Sequence, residues 1–149
     1  KSFHITGWKI GYVVAPEEIM NELKKVHQYL VFTVNSLSQH VLSKYLKTQN
    51  VKDLGGFYKK KRDLFIKGME KSKFNLLPCE GSYFQLATYE DISDDTDVAF
   101  CEKLVTEFKI AAIPISVFSE KQDRRKIVRF CFAKENQTLE KATRLLCKI

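Results

Sequence analysis

The chain has no apolar run approaching the ~20 residues that a membrane-spanning helix needs, and no signal-peptide pattern. It has no Cys-x-x-Cys pair and no cluster of cysteine and histidine at metal-ligand spacing, so no metal site is expected. A Gly-rich phosphate loop and a Gly-x-Ser-x-Gly elbow are both missing, which leaves P-loop hydrolysis and α/β-hydrolase chemistry without support. Internal repeats and low-complexity stretches are absent too. Nor does the chain open on methionine, and Lys1 reads as a position inside a longer protein.

What is present bounds the answer further. A length of 149 residues allows one domain, or one domain with a piece of another. At 44% hydrophobic residues the chain can bury a core, so it is not a disordered tail. Its net charge of +7 permits binding to nucleic acid, anionic membrane or anionic small molecules without choosing among them. Cys101, Cys131 and Cys147 sit among apolar neighbours, as reduced core thiols of a cytoplasmic protein do, with room for at most one disulfide.

Periodicity predicts the elements. Residues 8–14 are Gly-flanked, aromatic and β-branched, as in a strand. Pro16, Glu17 and Glu18 suit a helix start, and Ile19, Leu23, Val26 and Leu30 fall at helical spacing over residues 16–29. Asn35 or Ser36 can cap a second helix bearing Leu37, Val41, Leu42, Tyr45 and Leu46. Gly55-Gly56 reads as a hinge or helix start before a long basic helix to about Lys71, with Phe57, Leu64, Phe65 and Met69 as its buried stripe. A strand over 82–88 follows, then an acidic loop over 91–97. Next comes a helix whose stripe is Val98, Cys101, Leu104, Val105 and Phe108. Strands over 110–115 and 127–133 precede a last helix over 138–147, capped near Asn136.

Two segments carry chemistry. The chain opens Lys1-Ser2-Phe3-His4-Ile5-Thr6-Gly7-Trp8-Lys9-Ile10-Gly11-Tyr12, with lysines eight apart and the second between glycines. Glycine lets backbone approach an anion closely, and lysine supplies a point charge to phosphate, although Lys9 could equally be a surface lysine at a strand start. Downstream, Ile127-Val128-Arg129-Phe130-Cys131-Phe132-Ala133 alternates so that Val128, Phe130 and Phe132 face one side and Arg129 the other. A strand arginine in such company needs an anion, either a protein carboxylate or a bound one gripped by its planar fork. The Lys59-Lys60-Lys61-Arg62 run could form a nucleic-acid patch, but at helical spacing it reads as the wet face of the long helix.

Both chemical segments, in this order, resemble class I pyridoxal-phosphate aminotransferases of fold type I. Lys9, where the broad family carries arginine, and His4 both resemble the kynurenine/methionine (glutamine-type) subgroup. The resemblance implies an α/β fold: residues 1–48 as the end of the large cofactor domain with interdomain helices, and 49–149 as the α+β small C-terminal domain. It implies that Lys1 links covalently to pyridoxal 5'-phosphate and shuttles the substrate proton, that Lys9 binds the phosphate, and that Arg129 grips the substrate α-carboxylate. The stretch Val26-His27-Gln28-Tyr29-Leu30-Val31-Phe32 is similar to one whose aromatic residue enters the partner subunit's substrate pocket. That makes Phe32 a substrate-binding candidate, against a plain core role. Pro78–Gln85 and Ala112–Phe118 resemble landmarks of the small domain.

The implied activity is transfer of an amino group from an aromatic, methionine or glutamine-like amino acid to a 2-oxo acid, in a cytoplasmic homodimer without nucleic-acid or membrane partners. A cysteine-S-conjugate β-lyase using the same site is the alternative within the enzymes, and a basic nucleic-acid-binding module is the alternative outside them. The family's ring-stacking aromatic and the acidic partner of the cofactor ring nitrogen would precede Lys1, so these residues alone are expected to be inactive.

Overall fold

The computed structural model describes residues 3, 5–48, 51–119 and 125–149. The chain divides into two units, Lys1–Leu54 and Gly55–Ile149.

The first unit is helical. A 3-10 turn at Thr6–Trp8 leads into a stretch without ladder partners, then helix α1 (Glu17–Leu30) and helix α2 (Ser36–Thr48). The helix α1 starts where Pro16 and the acidic Glu17 and Glu18 place it. Asn35 caps α2, its Oδ1 accepting from the Ser38 N–H at 2.8 Å. The strand expected over residues 8–14 does not form. A strand exists only against a neighbour, and no described strand pairs with these residues. The expected apolar stripe of α1 is there, but Ile19, Leu23, Val26 and Leu30 are all exposed.

Helix α3 (Val51–Met69) runs through Gly55-Gly56, so the glycines do not start it, although the two units divide between Leu54 and Gly55. Glycine inside a helix costs about 1 kcal/mol relative to alanine and does not forbid the conformation. Its buried stripe is Phe65 and Met69, with Tyr58 and Leu64 partly buried; Phe57 is exposed, contrary to expectation.

The second unit is built on an antiparallel four-stranded sheet in the order β1-β2-β4-β3. Its strands are β1 (Asn75–Leu76), β2 (Phe84–Thr88), β3 (Ile113–Pro114) and β4 (Ile127–Cys131). β1 is too short to show a sequence pattern, and the strand expected over 110–115 is only two residues long, followed by a 3-10 turn at Ser116–Phe118. Helices α4 (Asp97–Phe108) and α5 (Asn136–Leu146) complete the unit.

The core takes Val128 and Phe130 from β4, Phe132 just after it, and Ala87 from β2, against Phe65 and Met69 of α3, Phe100 and Leu104 of α4, and Leu139 and Leu146 of α5. Phe130 meets Phe74 edge to face, and Tyr89 stacks on Phe100 with ring centroids 4.1 Å apart. Helix α4 buries Phe100, Cys101 and Leu104 and leaves Val98 and Val105 exposed, a rotation of the expected stripe. Thr96 caps it, accepting from the Ala99 N–H. Asn136 does not cap α5; its Oδ1 accepts from Lys61 Nζ at 2.7 Å instead.

Candidate functional site

The strand alternation expected for β4 holds. Val128 and Phe130 are buried, and Arg129 takes the other face. The register sets its neighbours: Arg129 lies opposite Leu86 on β2 and opposite Ile113 on β3, with Phe84 diagonal to it through the Phe84–Cys131 pair. Its guanidinium carbon stands over the Phe84 ring, 4.2 Å from the centroid, and over the Phe118 ring at 5.0 Å. Ring faces attract the positive charge but accept little hydrogen bonding. The Arg129 Nε is buried and has no hydrogen-bond partner, and the residue has no ion pair among the described residues. A protein carboxylate therefore does not satisfy this arginine within the described structure. An orphaned donor on a charged group costs roughly 1–3 kcal/mol or more.

A second contact lies at the start of the turn that carries Phe118. Asp97, the first residue of α4, is buried, and its carboxylate accepts from the Ser116 N–H and the Ser116 hydroxyl, both at 2.7 Å. Ser116 opens the turn that carries Phe118.

In the first unit, Lys9 follows the Thr6–Trp8 turn with a left-handed φ of 53°. Its side chain is exposed and has no partner among the described residues. Nothing stands within 4 Å of where a Cβ would project from Gly7 or Gly11. A free cation beside open backbone fits a phosphate. The left-handed conformation falls on Lys9 itself and not on the glycines.

Phe32 also has a left-handed φ, 62°, and is 75% exposed, so within these residues it is not a core phenylalanine. A bulky side chain at positive φ costs about 1–3 kcal/mol, and such strain clusters at functional positions. Lys9 and Phe32 thus lie in the first unit and Arg129 in the second; Lys1 and His4 lie outside the described residues.

The other sequence candidates resolve as structure. In the basic run, Lys61 is held by Asn136 and lies 5.5 Å from the Phe57 ring centroid, while Arg62 donates to the Cys79 carbonyl at 2.9 Å and pairs with Asp63. Lys59 and Lys60 are exposed, as a wet helix face requires. All four cysteines are free, and Cys101 is buried. No group of three or more metal-ligating side chains gathers among the described residues, and no described helix is long and apolar enough to cross a membrane. The placing of Phe84 and Phe118 against Arg129, and the Asp97–Ser116 contact at the turn that carries Phe118, were not foreseen. Their segments stood out in the sequence, but only strand register and the turn bring them together.

Residues 1–146 match the family described as aminotransferase class I and II. The methionine aminotransferase of Escherichia coli (strain K12) is 45% identical over 141 residues, covering 93% of this chain and 36% of that protein. A kynurenine–oxoglutarate transaminase of Dictyostelium discoideum is 30% identical across 100% of this chain and 40% of its own length. A solved Escherichia coli structure, reported as identifying a methionine aminotransferase function, superposes with a TM-score of 0.90 at 43% identity, covering 99% of this chain and 40% of that one. The chain spans about two fifths of the length of the relatives it matches.

Proposed function

The chain belongs to the class I and II aminotransferases, and we propose that the whole protein of which it forms part is a cytoplasmic, homodimeric pyridoxal-phosphate aminotransferase. It would accept methionine, aromatic or glutamine-like amino acids and pass their amino group to a 2-oxo acid. The orphaned Arg129 Nε carries this reading. In it, the guanidinium takes the substrate α-carboxylate through two parallel N–H donors, which turns the α-carbon toward the reacting centre. Lys9 supplies the charge that holds the cofactor phosphate. The Lys1 amine takes the proton from the substrate α-carbon and returns it on the far side of the transfer. When bound, the cofactor supplies the electron sink for that proton's removal. Phe32 gives an aromatic wall suited to large apolar side chains. The 149 residues by themselves would bind cofactor poorly and turn over no substrate.

The test is Arg129→Ala in the whole enzyme. Loss of a charge-assisted bidentate contact predicts a rise of roughly 30-fold or more in the KM for methionine. An unchanged KM would remove Arg129 from substrate binding.

A further inference from the structure

We propose that Asp97 and Ser116 are positioning residues for Arg129, acting through Phe118, a role that rests on the reading of Arg129 as the carboxylate-binding residue. The two rings over its guanidinium are held in different ways. Phe84 belongs to β2, where ladder pairing with β4 fixes it. Phe118 sits in a three-residue 3-10 turn and is 64% exposed, so no core packing holds its ring. Among the described residues the turn itself is closed by Phe118 N–H to the Ile115 carbonyl at 3.1 Å and Ser119 N–H to the Ser116 carbonyl at 3.0 Å.

What anchors the turn is Asp97. A buried carboxylate is costly unless its oxygens are hydrogen-bonded. Asp97 uses both oxygens on one residue, taking the Ser116 backbone N–H on Oδ2 and the Ser116 hydroxyl on Oδ1. The first bond fixes the backbone at the start of the turn, and the second fixes the Ser116 rotamer. The carboxylate sits in the first turn of α4, where the helix end favours negative charge. The rigid start of α4 thereby sets where Phe118 lies, and Phe118 restricts the conformations open to the Arg129 side chain. Each substrate carboxylate then meets a guanidinium already in place. Loosening the turn makes every binding event order Arg129 first, which raises KM and leaves the chemical step alone.

The experiment uses the whole cofactor-loaded enzyme, with steady-state kinetics on methionine and equilibrium binding of 3-phenylpropanoate, a carboxylate without an amine. Ser116→Ala keeps the backbone hydrogen bond and removes the hydroxyl; Phe118→Leu removes the ring from an exposed position. Each is expected to raise KM and the 3-phenylpropanoate Kd roughly three- to tenfold, the range of one ring–cation contact, with kcat within about twofold. Ser116→Thr should restore both constants, and Ser116→Ala should add little on top of Phe118→Leu. Should Arg129→Ala raise KM while Ser116→Ala and Phe118→Leu leave KM and Kd unmoved, the positioning role is overturned and the carboxylate reading stands. Full additivity of Ser116→Ala and Phe118→Leu would also overturn it. An unchanged KM in Arg129→Ala would sink both readings together.

Discussion

The two units spend their apolar residues differently. No described residue of the first unit is buried, and Tyr12, Val14, Tyr29 and Leu30 are left uncovered by these residues. The second unit, with a similar alphabet, closes Phe65, Phe74, Phe100, Phe130 and Leu146 into one cluster. Amphipathic periodicity is present in both. It becomes burial only where a second layer lies against it, and the sheet supplies that layer in the second unit alone. A helix stripe read from sequence therefore states a need for cover, without naming what covers it. The site candidates follow the same division. Arg129 is set by strand pairing within a packed unit, whereas Lys9 and Phe32 are exposed and held in left-handed backbone conformations.

The comparison breaks most visibly under truncation of side chains. Phe130→Ala should destabilise the second unit by about 3–5 kcal/mol, because the ring meets Phe65 and Phe74 in a closed core. Leu30→Ala, at 79% exposure, should change the urea unfolding of the same chain by no more than ~0.5 kcal/mol. Equal costs at the two positions would show that the first unit has a core of its own.

Gly68 probes how tightly the second unit is packed. A methyl there would land 2.8 Å from Thr143 Cβ, with its hydroxyl and methyl also inside contact distance. Thr143 is buried on α5, so Gly68→Ala should cost about 1–3 kcal/mol in the same unfolding experiment. A neutral result would mean that α3 and α5 can separate freely.

The smallest effect is a pH dependence confined to the packed unit. Burial, with the Asp97 charge adding to it, pushes the Cys101 thiol up from 9.0 to about 11. The folded state therefore holds this proton more tightly than the unfolded state. Its contribution is fully present below pH 9 and is lost as pH rises from about 9 to 11. Thermal melting of the wild type should fall across that window by the equivalent of about 1 kcal/mol, and Cys101→Ala should flatten the fall. An unchanged slope in the variant would assign the loss to other groups.

Some placements were legible because they rest on local rules. The strand face of Arg129 could be read by counting residues along one strand, and the chemistry of helix starts narrowed the α2 cap to Asn35 or Ser36, of which Asn35 caps. The misses have nonlocal causes. On α4 both Val98-Val105 and Phe100-Leu104 fit a helical period, and the sheet decided which was buried. Residues 8–14 have strand composition but no described strand beside them. Phe84 and Phe118 meet Arg129 through pairing register and a turn whose first residue bonds to Asp97, which sequence spacing does not encode.

The central proposal is that Lys1 carries the cofactor of an aminotransferase, and its most direct test is chemical. The whole protein, purified with its cofactor, would be reduced with borohydride and mapped by peptide mass. The account predicts a reduced pyridoxyl group on Lys1. A stable adduct on a different lysine, or none on a protein that turns over methionine, would contradict it.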